Sequence, residues 1–198
     1  MAFRIDPMSP GDIAAVVALQ TAFLDGSIVT RLGPRFLTPF HAHALAHVSS
    51  RAFVARDGTA AIVGFALGSV DVEAFNRHVK PRVLGPLVRS LLSPSRIGVL
   101  AGLVRMIAEG EPQPPIPAEL LLLVVAPSAR RLGVGAALLK AMEDAFARQQ
   151  IARYRVAVRS HLAAARAFYS ARGFEHEQGR AVLGRPMVYL TKQVPPGT

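Results

Sequence analysis

The stretch from residue 120 to residue 146 constrains the fold more than any other part of the chain. It opens with an uninterrupted apolar run at 120–125 and passes through the loop Arg130-Arg131-Leu132-Gly133-Val134-Gly135. It continues with apolar residues three and four positions apart, namely Leu138, Leu139, Met142 and Phe146. The run predicts a strand buried on both faces, and the later spacing predicts an amphipathic helix. A buried strand joined to a helix by a glycine loop is typical of an α/β protein.

The remaining elements follow from apolar spacing and turn residues. Strands are expected at 3–6, at 154–158 and at 187–191, with a hairpin within 52–70. The hairpin is centred on Asp57-Gly58, a pair that supplies the positive φ angles of a tight turn. Helices are expected at 10–24, at 36–48 and at 162–171, the last closed by Gly173.

Residues 72–118 lose the strand character of their neighbours. Pro81, Pro86 and Pro94 divide residues 72–108 into three short segments, which we expect to be helices. Residues 111–117 are rich in proline and predict an extended connector. We therefore expect one domain over residues 1–198 with a helical insert at about 72–118.

Length and composition restrict the class of protein. A chain of 198 residues with 51 % hydrophobic side chains can bury a sizeable core and is too short for two domains. The absence of cysteine excludes disulfides, thiolate metal sites and a cysteine nucleophile. No apolar run has the length of a signal peptide or a membrane span, so we expect a cytoplasmic protein.

The net charge of +10 is unevenly distributed along the chain. Residues 74–108 hold six basic side chains and no acidic one, and residues 148–198 carry a net charge of +7. Such blocks indicate nucleic acid, an anionic cofactor or an acidic substrate as the partner. Nucleic-acid binding is disfavoured because no helix-turn-helix signature is present and aromatic residues make up only 7 % of the chain.

The glycine loop has two interpretations. Glycines allow the backbone to approach a ligand, and the start of the following helix presents unpaired N–H groups, which together bind phosphate. Alternatively, the glycines allow tight packing of the strand against the helix. A dinucleotide fingerprint is excluded because position 138 is leucine, and a P-loop is excluded because the sequence contains no Gly-Lys-Ser/Thr.

The string from Val125 to Gly135, VAPSARRLGVG, resembles the pyrophosphate loop of the GNAT N-acetyltransferase superfamily. A second match follows in the predicted helix 162–171, where the family pattern is Asn-x-x-Ala-x-x-Phe/Leu-Tyr with a later Gly-Phe. The matching residues are Ala165, Phe168, Tyr169, Gly173 and Phe174, whereas Leu162 stands where the family commonly has asparagine. The resemblance covers about residues 50–70 and 119–192, and the insert lies outside it.

The resemblance implies a fold, a cosubstrate and a set of binding residues. The fold is a GNAT-like mixed, mostly antiparallel central sheet flanked by helices. The cosubstrate is acetyl-CoA as the acyl donor, and the acceptor is an amine that the sequence does not identify. The cofactor-binding residues carried over from the family are Val124, Val125, Arg130, Arg131, Leu132, Gly133, Val134, Gly135, Ala136, Phe168 and Tyr169.

Two residues are candidates for the chemistry of acetyl transfer. The resemblance places Tyr169 near the CoA sulfur, where a phenol can donate a proton to the departing thiolate. Its alternative is a tyrosine packed in the core with its hydroxyl satisfied. Glu119 opens the strand that leads into the glycine loop, and a carboxylate at this position serves as the base in the histone-acetyltransferase branch of the family. Its alternative is a solvated carboxylate at a strand end.

Other polar clusters leave further interpretations open. His41, His43 and His47 suggest a metal site, but no cysteine or nearby carboxylate completes a ligand set, so we favour a helix surface and expect no metal. The basic insert is interpreted as an amphipathic lid, with an anionic-acceptor site or a membrane-surface helix as alternatives.

An acetyltransferase is the leading hypothesis, with a non-catalytic acyl-CoA sensor or a nucleic-acid-binding module as alternatives. A homodimer is left open.

Overall fold

The computed structural model describes residues 2–24, 30, 33–90, 116–176, 180–182 and 185–195. Within these ranges the strands are β1 (Phe3–Pro7), β2 (Ser50–Asp57), β3 (Ile62–Ser69), β4 (Ala118–Val125), β5 (Arg153–Arg159), β6 (Glu175–His176), β7 (Arg180–Val182) and β8 (Arg185–Gln193). The helices are α1 (Ile13–Phe23), α2 (Pro34–Ala46), α3 (Val72–Ser90), α4 (Val134–Arg148) and α5 (Ala163–Ser170).

The strands form a single mixed sheet. Its order is β1-β2-β3-β4-β5-β8-β6, and β7 pairs with β8 beside this path. Among the described strands, β4 and β5 run parallel and every other neighbouring pair is antiparallel. This arrangement confirms the predicted α/β fold with a mixed, mostly antiparallel sheet flanked by helices.

The parallel seam between β4 and β5 is short. Its register pairs are Ala118 with Tyr154, Glu119 with Arg155, and Leu120 with Val156. Both strands continue beyond these pairs, β4 to Val125 and β5 to Arg159. The two strands therefore separate after Leu120 and leave a gap in the middle of the sheet.

A bulge in β4 lies where the gap begins. Leu67 of β3 faces Leu122, and the next residue Gly68 faces Leu120, so Leu121 is an extra residue on β4. An extra residue bends the strand that carries it and increases its twist. The bulge therefore directs the second half of β4 away from β5.

Both faces of the sheet are covered by helices, as the continuous apolar run at 120–125 predicts. On one face, α4 buries Leu138, Leu139, Met142 and Phe146, all of which are at most 2 % exposed. On the other face, α1 and α2 pack against β3 and β4. Leu120 belongs to the first core and Val124 to the second, so β4 is buried between the two layers.

The hairpin between β2 and β3 is present, but its turn differs from the prediction. The positive φ of 64° belongs to Ala60, and Gly58 does not adopt one. The Asp57 carboxylate accepts hydrogen bonds from the Thr59 N–H, the Thr59 hydroxyl and the Ala61 N–H. These bonds stabilise a longer loop, so the aspartate organises the turn and the glycine does not need its conformational freedom.

The start of the predicted insert is one helix where the sequence suggested several. The helix α3 continues through Pro81 and Pro86 to Ser90, although an interior proline removes a backbone hydrogen bond and normally ends or kinks a helix. The third predicted segment, with Pro94, and most of the connector at 111–117 lie outside the described residues. No helix in the described ranges is long and apolar enough to cross a membrane.

Candidate active site

A groove occupies the gap between β4 and β5. Its volume is about 830 Å³, which lies in the usual range for a small-molecule site. Residues from the end of α1, the second half of β4, the glycine loop and the β5–α5 segment form its walls. The lining residues are Phe23, Leu24, Leu123, Val124, Val125, Arg130, Arg131, Gly135, Arg159, His161, Leu162, Ala163, Ala164, Ala165, Phe168 and Tyr169.

The exposed backbone edge of β4 lies along this groove. The Ala126 N–H donates to the Val63 carbonyl on β3 at 2.8 Å, so by alternation the main chain of Val124 also faces β3. The main-chain groups of Leu123 and Val125 consequently face the gap. Arg130 Nε donates to the Val125 carbonyl at 3.1 Å, which orients this arginine along the groove wall.

The glycine loop ends in an uncapped helix N-terminus. Gly133 is the N-cap of α4 with φ of 86°, and in the described part of the chain no side chain accepts a hydrogen bond from the first turn of this helix. Arg131 also has a positive φ, 62°, which is costly for a residue with a Cβ atom. The N–H groups at the start of α4 are therefore available to an anion, where the helix dipole favours negative charge.

The packing interpretation of the glycines holds for Gly135. A Cβ atom at this position would lie 3.3 Å from Cε2 of Phe168 and 3.7 Å from Cγ2 of Val125. The Arg172 guanidinium lies over the Phe168 ring, 3.8 Å from its centroid, and donates to the Phe168 carbonyl at 2.7 Å. Phe168 is thus held between the start of α4 and the end of α5, which fixes α5 beside the groove.

Tyr169 lies in the core and also lines the groove. Its ring contacts Phe168 and Phe174 edge to face, with centroid distances of 5.1 and 5.0 Å, and the residue is 6 % exposed. Burial raises the pKa of the Tyr169 phenol, so the hydroxyl stays protonated at neutral pH. Within the described part of the chain, no hydrogen bond occupies this hydroxyl, so the packing alternative does not account for its polar end.

Glu119 is held by an ion pair and does not line the groove. Its Oε2 atom accepts a hydrogen bond from Nε of Arg155 at 2.8 Å and lies 2.6 Å from Nη2 of the same guanidinium in an ion pair. Both side chains are about one-tenth exposed, and the guanidinium also lies over the Tyr189 ring at 4.6 Å. The structure therefore does not place Glu119 at a solvated strand end, and it separates Glu119 from the wall that carries Tyr169.

The groove gathers most of the residues predicted to bind a cofactor. Val124, Val125, Arg130, Arg131, Gly135, Phe168 and Tyr169 all line it. Leu132 and Gly133 complete the loop on its exposed side, whereas Val134 is only 2 % exposed and packs beneath the loop. Ala136 follows in the first turn of α4, where its main chain rather than its methyl group can face a ligand.

Several residues that line the groove belong to no motif in the sequence. Phe23 and Leu24 come from the end of α1. Arg159 is the last residue of β5, and His161 lies two residues after it. The two parallel strands have their carboxyl ends at the same edge of the sheet, where α/β proteins bind ligands. This rule would have predicted Arg159 and His161, whereas nothing in the sequence marks Phe23 and Leu24.

The histidines do not form a metal centre. His41 is 1 % exposed, and its Nε2 atom lies 2.7 Å from Oε1 of Gln20; burial lowers the pKa of His41 to about 4. His47 Nδ1 lies 2.7 Å from the Ser49 hydroxyl, and its ring contacts His78 of α3. Over the described ranges, no group of three or more His, Asp or Glu side chains could hold a metal ion.

Several solved structures share this fold at low sequence identity. SsHAT is 24 % identical with a TM-score of 0.71, covering 98 % of this chain and 99 % of that chain. The ribosomal-protein-S18-alanine N-acetyltransferase from Escherichia coli is 16 % identical with a TM-score of 0.62, covering 100 % and 97 %. The PaiA N-acetyltransferase from Thermoplasma acidophilum, solved in complex with coenzyme A, is 13 % identical with a TM-score of 0.61, covering 98 % and 99 %.

Sequence comparison identifies the family. A search of curated protein sequences finds no match. The sequence model of the acetyltransferase (GNAT) family matches residues 29–174, which include the β4–β5 gap, the glycine loop and α5 as far as Phe174. Because this match spans well over half of the chain and the sheet has the same fold as solved acetyltransferases, the chain belongs to the GNAT acetyltransferase family.

Proposed function

We propose that the chain is an N-acetyltransferase that transfers an acetyl group from acetyl-CoA to a primary amine by direct attack in a ternary complex. Residues 1–198 would form a single catalytic domain. One observation supports the proposal: an open strand edge, an uncapped helix N-terminus and Tyr169 all lie along one groove in the β4–β5 gap. The coenzyme A complex of the PaiA relative supports coenzyme A as the carrier.

The described groove residues fit an acyl-CoA. The main chains of Leu123 and Val125 offer hydrogen bonds to the amides of a pantetheine arm, as a neighbouring strand would. The N-terminus of α4, with Arg130 and Arg131 beside it, suits a pyrophosphate. Arg159 and His161 line the groove on the β5 side, where the arginine adds positive charge. The phosphates of an acyl-CoA would thereby be the anionic partner of the positive charge in the C-terminal third.

The chemistry requires a neutral amine and a stabilised thiolate. An alkylammonium ion has a pKa of about 10.4, so forming the free amine at pH 7 costs about 4–5 kcal/mol. Acetyl-CoA supplies a thioester, whose carbonyl carbon forms the new bond to nitrogen while its bond to sulfur breaks. The carbonyl oxygen needs a hydrogen-bond donor, and a backbone N–H beside the bulge at Leu121 would serve.

Tyr169 is proposed as the group that stabilises the departing sulfur. Tyr169 lines the groove, and burial keeps its hydroxyl protonated. A thiol has an ordinary pKa of about 8.5, so a phenol with a raised pKa acts mainly as a strong hydrogen-bond donor to the thiolate. The sulfur then receives the proton that the amine nitrogen releases, and solvent in the groove carries it.

The role of Glu119 as the base stays a prediction from the sequence. A general base must reach the proton that it removes, directly or through one water molecule. The Glu119 carboxylate is already bonded to Arg155 and lies outside the groove lining. In the proposed mechanism, water therefore accepts the amine proton, and Glu119 is given a different role below.

The proposal is tested by measuring thiol release from acetyl-CoA across a panel of amines, together with calorimetry of acetyl-CoA binding. The panel should include small alkylamines, aminosugars, aminoglycoside antibiotics and peptides with free amino groups. Micromolar acetyl-CoA binding and amine-dependent thiol release are the expected results. Binding without thiol release would support the acyl-CoA sensor, and salt-sensitive DNA binding without acetyl-CoA binding would support the nucleic-acid module.

A further inference from the structure

We propose that Glu119 and Arg155 form a cross-strand clamp that fixes the point at which β4 and β5 separate. Both are then positioning residues for the acyl-CoA groove, and neither touches the reacting atoms. The inference rests on the proposed function, because it takes the groove as the binding site of the CoA cosubstrate. It replaces the base role that the sequence predicts for Glu119.

The Glu119–Arg155 pair lies next to the end of the parallel seam. Glu119 and Arg155 are register partners, and the following pair, Leu120 with Val156, is the last one that joins the two strands. The bulge at Leu121 comes next, and the groove lining on β4 begins at Leu123. The ion pair therefore lies one residue pair from the vertex of the groove.

The ion pair has a close, convergent geometry. Arg155 Nε donates a hydrogen bond to Oε2 of Glu119 at 2.8 Å, and Nη2 lies 2.6 Å from the same carboxylate oxygen. The side chains are 8 % and 11 % exposed, so solvent screens the attraction only weakly. The Tyr189 ring on β8 lies 4.6 Å from the guanidinium carbon and restrains the arginine from the neighbouring strand. Buried, charge-assisted bonds of this length hold two strands in a defined geometry.

The ion pair and the bulge resist opposite changes of the seam. A parallel seam three pairs long has two ways to change: it can extend into the gap, or it can open toward the strand starts. The extra residue at Leu121 breaks the pairing pattern and opposes extension. The Glu119–Arg155 pair opposes opening. The bulge and the clamp together therefore set the width of the groove, and thereby the position of a bound thioester relative to Tyr169.

The test compares E119M and R155M with the charge-reversed double variant E119R/R155E. The readouts are the acetyl-CoA Kd from calorimetry and the separate kcat and KM values for both substrates. Each single variant should weaken acetyl-CoA binding, and its kcat/KM for acetyl-CoA should fall about 10- to 100-fold, because misplacement of a substrate by about 1 Å is sufficient for such losses in rate. The reversed pair restores the ion pair and should return the Kd to within about fivefold of wild type, a rescue expected only of a clamp.

The matched control is the ion pair between Glu143 of α4 and Lys192 of β8. It is also largely buried, with Nζ of Lys192 2.6 Å from Oε1 of Glu143, but it does not line the groove. The variant K192M should lower thermal stability and leave the acetyl-CoA Kd unchanged. An equal loss of affinity in K192M would overturn the inference, since general destabilisation would then explain the clamp variants.

The base role gives a different pattern. If E119M and the reversed pair bind acetyl-CoA as wild type does but lose turnover, Glu119 is a base and the clamp is wrong.

Should the single variants fail to fold, the apolar pair E119M/R155M serves instead, because apolar side chains of similar volume often replace a buried ion pair without loss of stability. Weakened acetyl-CoA affinity in that folded variant supports the clamp, and wild-type affinity in it, with or without turnover, contradicts the clamp. Absence of acetyl-CoA binding in the wild type would remove the proposed function itself, whereas unchanged binding in every variant would remove only the clamp.

Discussion

Gly135 and Phe168 are in direct contact across the groove wall. A Cβ atom on Gly135 would lie 3.3 Å from Cε2 and 3.4 Å from Cζ of the phenylalanine ring. The ring is also covered by the Arg172 guanidinium at 3.8 Å from its centroid, so it has little room to retreat. The glycine at this position therefore sets how closely α4 approaches α5, the helix that carries Tyr169.

The variant G135A should disturb this contact. We expect a loss of about 1–3 kcal/mol in the free energy of unfolding, as for other overpacked cores, and a rise in the KM for acetyl-CoA. Denaturant unfolding and steady-state kinetics measure the two effects. G58A is the control, because a Cβ atom there meets nothing within 4 Å and the residue has no positive φ. The double variant G135A/F168L should recover stability; if it does not, the Phe168 contact is not the cause.

Arg131 combines a positive charge with a left-handed backbone, and two variants separate these properties. R131A and R131G should both weaken acetyl-CoA binding, more at low than at high salt, because both remove the charge from the loop. R131G should be more stable than R131A by about 1 kcal/mol, since glycine adopts the φ of 62° without strain. R148A, which removes an exposed arginine outside the groove lining, controls for net charge. Equal stability of the two Arg131 variants would contradict the backbone argument.

Removal of the Tyr169 hydroxyl should affect turnover and not binding. Y169F should lower kcat about 100-fold or more and leave the acetyl-CoA Kd within about twofold. Burial raises the pKa of Tyr169, so ionisation of this phenol should not reduce wild-type turnover up to about pH 10, the ordinary tyrosine value. Y154F is the matched control: this buried tyrosine donates to Glu143 at 2.6 Å and does not line the groove. Unchanged turnover in Y169F would exclude Tyr169 from the chemistry.

His41 should make the folded state sensitive to acid. Burial lowers its pKa from 6.5 to about 4, so the unfolded chain binds a proton more readily than the folded one. The contribution of His41 is complete above pH 6.5 and is lost as the pH falls toward 4, a difference of about 3 kcal/mol. Unfolding free energies of wild type and H41Q over this range measure the effect. The change of unfolding free energy with pH should be smaller in H41Q than in wild type. It should persist in H161Q, in which an exposed histidine is replaced. An identical pH dependence in H41Q and wild type would contradict the role given to His41.

Local patterns predicted the elements that have strong periodicity. The apolar spacing of Leu138, Leu139, Met142 and Phe146 gave the buried face of α4, and the apolar run before the loop gave β4. The strands β6 and β7 have two and three residues, too few for a periodic pattern, and no strand was predicted there. The local propensity of the prolines at 81 and 86 predicts helix breaks, whereas the helix α3 continues through both.

The site was only partly predictable for a related reason. The loop and Tyr169 lie in contiguous motifs, so their family resemblance located them. Glu119 and Arg155 are 36 residues apart, and nothing in either strand alone indicates that they are register partners. Phe23 lines the groove because α1 crosses the sheet near the end of β4, which is a property of the tertiary fold.

The short seam between β4 and β5 also divides the sheet into two units, β1–β4 and β5–β8. Three register pairs connect them, so the hydrogen-bonded ladder is nearly interrupted at the centre of the protein. A pantetheine arm bonded to the open edge of β4 would act as an inserted strand and extend the connection along the gap. In the proposed function, the cosubstrate is therefore a structural part of the sheet during each reaction cycle. The release of CoA returns the protein to a state in which the two units unfold less cooperatively, because only the short seam joins them.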